Sequence, residues 1–310
     1  MAALLARRLL VLIPVLFGVT VLVFSALYAI PGDPARVLLF GTSATPQAIA
    51  RLRAELGLNQ PFYAQYWHYL ENLLHGNLGY SYATRQPVAT EIGIQLQYTI
   101  QLAATALVVA LAVGIPLGII SGLRPNGWID KLATGVAVLG VAVPYFWLAI
   151  LLVLLFAVKL HVLPAVGTGP PDSIILPAIS LGWGFASIIA RLLRNSLIEV
   201  YQTPFILVAR AKGLSGWYVL TRHALRNAAA STLTVLGLQL GYLLAGAVAI
   251  EVIFGRPGIG SLLVTSIGQK DVPTVQGTVL LVAVTYLVAN LLVDVFQGVL
   301  DPRIRTGGAR

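Results

Sequence analysis

The chain has 310 residues, 58% hydrophobic and 10% charged, with a net charge of +9 and no cysteine. Soluble domains carry about 25% charged residues, so this composition, with a mean hydropathy of +0.87, excludes an ordinary soluble fold and indicates a polytopic membrane protein. The absence of cysteine excludes disulfides, thiolate catalysis and iron–sulfur clusters, and His68, His75, His161 and His223 are scattered without metal-ligand spacing.

Arg7 and Arg8 precede an apolar run from Leu9 to Ile30, long enough to span a bilayer. The run ends in Ile30-Pro31-Gly32 without a small-x-small site, which predicts an uncleaved first helix over residues 1–30. Residues 31–98 form a polar insert. It opens with the turn Pro31-Gly32-Asp33-Pro34, and Thr45-Pro46 starts a helix that Gly57 closes. Phe62, Tyr63, Tyr66, Trp67 and Tyr69 are expected to pack the insert onto the membrane face, and Gly76-Asn77-Leu78-Gly79-Tyr80-Ser81 is rich in turn residues.

Five further apolar spans follow, at about Thr99–Ser121, Leu132–Val158, Ile174–Leu193, Thr232–Phe254 and Thr278–Leu300. They predict an all-α integral membrane protein of six transmembrane helices, with a core over 99–300 and a tail over 301–310. Gly114, Gly118 and Gly122, and likewise Gly237 and Gly241, recur at spacings that let helices approach closely. Pro116, Pro144 and Pro177 interrupt spans and are expected to kink them.

Charge fixes the expected orientation. Of the 20 Lys and Arg, 13 fall on the side of the two termini and 7 on the other, four of the seven in the long insert. Lysine and arginine in short loops favour the cytoplasm, so both termini are expected inside and the insert outside. Topology and headgroup contact thus account for the basic charge, and nucleic acid is not needed as a partner.

The segment Glu199–Asn227 lies on the cytoplasmic side in this scheme, within a loop at 195–230. It carries Arg210, Lys212, Arg222 and Arg226 against one acid, Glu199. Thr203 suits an N-cap and Pro204 the first helical position. Gly213 can close the helix with Leu214 following. Arg210 and Lys212 complement the dipole of the last turn. This predicts a helix over Pro204–Lys212, Ala211 included, roughly 14 Å long, with Phe205, Val208 and Ala209 on one face. The simpler reading of the basic charge is topology alone; the start signal, the stop signal and the apolar face argue for docking.

Several chemistries lack their residues. Intramembrane charges mark ion pathways, yet the only acids in the spans are Glu251 and Asp294, both near span ends, and no lysine sits in the middle of a span. Lys131, Lys159, Lys212 and Lys270 follow Asp, Val, Ala and Gln, so no Gly-Lys-Ser/Thr phosphate loop exists. No Gly-x-Ser-x-Gly or His-Glu-x-x-His motif appears. A non-catalytic chain driven by another chain's ATPase is expected, with a stand-alone secondary transporter or channel as the alternative. Gln101, Trp183, Gln239 and Tyr242 are candidate pathway residues; packing and interhelical hydrogen bonds explain them equally well.

The stretch Phe205–Leu214 followed by Arg222-His223-Ala224-Leu225-Arg226-Asn227-Ala228 resembles the cytoplasmic loop of bacterial ABC-importer permeases, above all the dipeptide, oligopeptide and nickel branch. Pro31-Gly32-Asp33-Pro34, Gly76–Ser81, Phe254-Gly255-Arg256-Pro257-Gly258-Ile259-Gly260, Asp271-Val272-Pro273-Thr274-Val275-Gln276-Gly277 and Asp301-Pro302-Arg303-Ile304-Arg305 extend the resemblance over nearly the whole chain. Against the general pattern of Glu-Ala-Ala, a glycine and Ile-x-Leu-Pro, Ala209, Gly213 and Leu225 fit, whereas Leu207, Val208, His223 and Arg226 depart as the peptide branch does.

The resemblance implies the type I importer transmembrane domain, located in the bacterial inner membrane. Its implied partners are a second homologous permease, two ABC ATPases that bind ATP and Mg, and an extracytoplasmic solute-binding protein. Thr203–Leu214 would be the coupling element, and the insert would help cover the outer mouth.

Overall fold

The computed structural model describes residues 2–29, 35, 45–55 and 57–300, with side chains left out at 2–9, 26–29, 52, 55, 230–231, 233–242, 244 and 292–300. The expected turn at Pro31–Pro34 and the tail 301–310 lie outside the described residues. Helices occupy every expected span: α1 (Ala2–Ala29), α4 (Val88–Leu123), α5 (Trp128–Ala142) with α6 (Tyr145–Leu152), α7 (Ile175–Tyr201), α9 (Leu225–Ile253) and α11 (Val272–Leu300). The other α-helices of eight residues or more are α2 (Pro46–Glu55) and α3 (Phe62–Leu74) in the insert, α8 (Pro204–Ala211), and α10 (Ile259–Gly268). Among the described residues three helices are long and apolar enough to cross a membrane, four if α5 and α6 make one pass, and Leu10–Ser25 is a shorter apolar helix.

The chain divides into two compact units. One comprises Met1–Tyr98 and Gly258–Val288, the other Thr99–Pro257 and Ala289–Arg310. The boundary falls inside α4, which begins at Val88 rather than near Thr99. Its first turns carry Thr90, Glu91 and Gln95, and that polarity disguised a helix start as the end of a loop.

In the second unit α7 is the hub, packed by α9, α5 and α6. Two-thirds (67%) of its most apolar window is buried, against 22% for that of α4. Leu176, Leu181, Phe185 and Ile189 of α7 meet Leu102, Ala106 and Ala110 of α4 and Leu243, Ala247 and Ile250 of α9. The glycine ladder of α4 has a physical cause. A Cβ at Gly114 would stand 2.6 Å from the Ala186 carbonyl oxygen, one at Gly118 2.9 Å from that of Ala190, and one at Gly122 2.9 Å from Leu197 Cβ. Only hydrogen fits along this seam, so α4 and α7 touch backbone to backbone.

The expected continuous span Leu132–Val158 is two helices bent by 103°. Val143 and Pro144 are extended, with ψ of 119° and 133°. Proline has no N–H to donate and drives the residue before it out of the helical region, so the helix breaks rather than bends. Beyond α6 the backbone widens into π-turns over Val153–Lys159.

In the first unit Phe24 of α1, 4% exposed, is surrounded by Phe62, Tyr66 and Tyr69 of α3 at 5.2–5.4 Å between ring centroids. The Thr20 and Tyr66 hydroxyls share a 2.9 Å hydrogen bond. The aromatics of α3 thus divide: these three seat the insert on the first helix, while Tyr63 and Trp67 stay exposed. Two sequence motifs 190 residues apart also meet. Ser81 Oγ donates to Asp271 Oδ2 at 2.5 Å, the Tyr82 N–H to Oδ1 at 2.9 Å, and Thr274 Oγ1 to Oδ2 at 2.9 Å. Asp271, 1% exposed, is therefore the knot between the Gly76–Ser81 turn and the start of α11. Burial and the neighbouring Asp271 carboxylate push the Tyr82 phenol up to about 12, so it stays neutral.

Candidate functional site

Helix α8 is entered through Thr203, extended at φ −76° and ψ 146°, with Pro204 at its first position. The Thr203 hydroxyl does not cap the helix; it donates back to the Val200 carbonyl. The helix ends at Ala211, one residue before the expected Lys212. Gly213 lies at φ +79°, its N–H bonded to the Arg210 carbonyl at 2.9 Å, and the Leu214 N–H reaches the Ala209 carbonyl at 3.4 Å. This paired closure is a Schellman motif. It satisfies carbonyls that would otherwise be orphaned at the helix end.

The short helix is apolar on all sides, so its anchored face had to be found by packing. Ile206, fully buried, and Ala209, 7% exposed, seat into a cluster with Leu193, Leu197, Val219, Leu220, Ala224 and Ala228. Ala209 therefore turns inward and does not share an outer face with Phe205 and Val208. Phe205, Leu207 and Val208 are 43%, 60% and 53% exposed. Trp217 and Tyr218, in the one-turn helix Gly216–Tyr218, are 74% and 47% exposed. Sequence spacing did not single out Leu207 as exposed, because i, i+3, i+4 matching cannot choose between two apolar faces. Arg210 lies 5.1 Å over the Tyr201 ring, and Ala211 and Lys212 are exposed.

Helix α7, which leads into α8, carries a charged clamp to the α4–α5 turn. Asp130 Oδ1 and Oδ2 accept from Arg194 Nε at 2.6 Å and Nη2 at 2.7 Å. Asp130 also accepts from the Ser121 hydroxyl, the Asn126 N–H at 2.8 Å and Thr134 Oγ1 at 3.3 Å. The α4–α5 turn is thereby pinned to α7 nine residues before Thr203. A cavity of about 130 Å³ lies beside this pair, lined by Leu117, Ala133, Ala137, Arg191 and Asn195 among others.

Of the candidate pathway residues, Gln101 and Trp183 have described side chains. Gln101, an exposed residue, accepts through Oε1 from the buried Arg256 Nη2 at 2.8 Å, and the buried Thr99 Oγ1 donates to the buried Glu251 Oε1 at 2.6 Å. Trp183 is half-buried on α7 and its carbonyl accepts from Ser187 Oγ at 3.0 Å. The side chains of Gln239 and Tyr242 lie outside the described residues.

Residues 114–306 match the family model described as "Binding-protein-dependent transport system inner membrane component", and residues 1–103 match its N-terminal companion. Relatives named "Glutathione transport system permease protein GsiC", from Escherichia coli O6:H1 and from Escherichia coli K12, are 42% identical over 299 residues, covering 96% of this chain and 97% of theirs. Among solved structures, an inward-facing MetNI methionine ABC transporter superposes with a TM-score of 0.56 at 16% identity, over 68% of this chain and 96% of that one. An amino acid ABC transporter with histidines gives a TM-score of 0.54 at 15% identity, over 67% and 94%. At those identities the two structures show the fold, which is that of type I importer permeases. The chain belongs to the family of binding-protein-dependent transport system inner membrane components, and it is a permease subunit of an ABC importer.

Proposed function

We propose that this subunit couples to its ATPase through Thr203–Leu214 and moves short peptides or similar small solutes. The observation that carries the coupling assignment is the division of α8 into an anchored face, Ile206 and Ala209, and a free apolar face, Phe205, Leu207 and Val208. A short helix held by two residues and stopped by a Schellman closure presents a rigid knob to a partner. The peptide reading rests on the relatives named for glutathione, itself a peptide.

In this scheme the chain forms half of the translocation path beside a second homologous permease, and the heterodimer is served by two ATPase subunits that bind ATP and Mg. The chain itself is non-catalytic. Both termini and the 195–230 loop lie in the cytoplasm. Residues 1–30 are the first membrane helix, the insert 31–98 meets the extracytoplasmic solute-binding protein, 99–300 are the core and 301–310 a cytoplasmic tail. The charge asymmetry of the short loops supports this orientation.

The test is Leu207→Arg or Val208→Arg in the assembled transporter. An exposed arginine leaves the bundle intact but buries a charge in the docked interface, which costs several kcal/mol. Uptake and binding-protein-stimulated ATP hydrolysis are expected to fall together by roughly tenfold or more, with normal assembly of the permease pair. Normal uptake by both variants would remove α8 from the coupling role. Ion-driven flux through the purified chain without ATPases would favour a stand-alone carrier.

A further inference from the structure

The cavity of about 130 Å³ beside the Asp130–Arg194 pair lies between α4, α5 and α7, toward the α8 end of α7. Its walls are apolar: Leu117, Ala133, Ala137, Val138 and Ala190. The lining contains no carboxylate, and three of its polar side chains are already committed. The Ser121 and Thr134 hydroxyls donate to Asp130. Arg194 gives Nε and Nη2 to Asp130, and Nη1 to Asn195 Oδ1 at 3.1 Å. Because Asn195 accepts through Oδ1, its NH2 group is turned away from Arg194 and keeps two donors to offer. Arg191 stands four residues earlier, on the same helix face. It lines the cavity, is exposed, and has no ion-pair or hydrogen-bond partner among the described residues. On α5, Lys131 is also exposed and without a partner among those residues, and it stands on the row of Thr134 and Val138 at the cavity rim. The mouth therefore presents a guanidinium, an amide donor and an ammonium from two helices, and the one nearby acid, Asp130, is consumed by its own donors.

We infer that this cavity binds the headgroup phosphate of an anionic phospholipid, in the leaflet on the α8 side of the bilayer. The position of the cavity along the spans points to a lipid. The apolar stretch of α7 runs to Leu193 and that of α5 starts at Leu132, so Arg191 and Asn195 stand at the hydrocarbon edge while Leu117, Ala137 and Val138 lie deeper. Donors at the edge and apolar wall below it match a phosphate with an acyl chain attached, and basic pockets between membrane helices suit anionic headgroups. The planar fork of arginine fits two phosphate oxygens at once. Val138, Arg191 and Asn195 are exposed, so the cavity is open at the side and the chains can run out along α5. The inference rests on the membrane reading of the chain and is independent of which solute is carried.

The experiment uses the assembled transporter, stripped of lipid in neutral detergent and titrated with phosphatidylglycerol, with bound lipid counted by native mass spectrometry. Arg191→Gln and Asn195→Asp, both at exposed positions, should each weaken one bound phosphatidylglycerol roughly fivefold or more. Arg191→Lys keeps the charge without the fork and should fall between Arg191→Gln and the unaltered transporter. Lys131→Gln, on the other helix, should weaken the same lipid, and phosphatidylcholine should bind this position less tightly than phosphatidylglycerol. Equal phosphatidylglycerol binding in the unaltered transporter, Arg191→Gln and Asn195→Asp, with normal assembly of all three, would overturn the site. Displacement of the Arg191-dependent lipid by inorganic phosphate alone would assign the cavity to a free anion and overturn the lipid. Its displacement by alanyl-alanine would place Arg191 and Asn195 on the solute path and overturn the lipid equally.

Discussion

Replacing Arg194 by methionine keeps most of the side chain's volume and removes two of the donors that hold Asp130. The Asp130 side chain is 3% exposed and that of Arg194 23%. The stranded carboxylate would keep the Ser121 hydroxyl, the Asn126 N–H and the longer Thr134 contact. Removing one member of a buried pair costs about 3–5 kcal/mol. Three neutral donors remain and Arg194 is partly wet, so the expected loss for Arg194→Met is about 2–4 kcal/mol. Asp130→Asn leaves an arginine that can turn to water, and about 1–2 kcal/mol is expected. The double variant carries neither charge, so its cost should fall below the sum of the singles by about 1–3 kcal/mol. Reversible unfolding of the purified chain in mixed detergent–SDS micelles, followed by far-ultraviolet circular dichroism, measures all three. An Arg194→Met cost under about 1 kcal/mol, or additivity within about 0.5 kcal/mol, would refute the claim that this pair pins the α4–α5 turn to α7.

Gly114→Ala places a methyl 2.6 Å from the Ala186 carbonyl and 2.8 Å from Ile189 Cβ; the same unfolding assay should show a loss of about 1–3 kcal/mol, whereas Gly135→Ala, with nothing within 4 Å, should be neutral. Gly213 meets open space but sits at φ +79°, so Gly213→Val should cost about 1–2 kcal/mol through backbone strain alone, and Gly213→Asn should retain more uptake than Gly213→Val. Asp271→Asn keeps the shape but turns one of the two oxygens that accept from Ser81, Tyr82 and Thr274 into an NH2 group facing a donor. About 1–3 kcal/mol is expected, read as faster proteolysis at residues 76–87 while cleavage in the α8 loop is unchanged.

The membrane class was legible in composition because a bilayer rewards one chemistry over some twenty consecutive residues. The ends of α8 were legible too, since Pro204 and Gly213 act through local backbone geometry: a fixed φ at the start and a free one at the stop. The anchored face of α8 was not, because Phe205, Ile206, Leu207, Val208 and Ala209 are all apolar and only the Leu193–Leu197–Val219–Leu220 cluster selects Ile206 and Ala209. Pro144 announced an interruption, but a kink and a 103° break share the same residue, and the second outcome depends on how α5 and α6 each pack onto α7. The glycine ladder advertised a close contact without naming its partner, which is the backbone of α7 at Ala186 and Ala190.

The sequence by itself determined what a local or one-dimensional cause can determine: the spans, the capped helix, the turn-rich motifs and the charge asymmetry. Tertiary structure alone decided which of these meet. Asp271 and Ser81, Asp130 and Arg194, and Glu251 and Thr99 are separated by 190, 64 and 152 residues. A buried carboxylate must find donors wherever the fold brings them, and no local pattern in the chain records where that is.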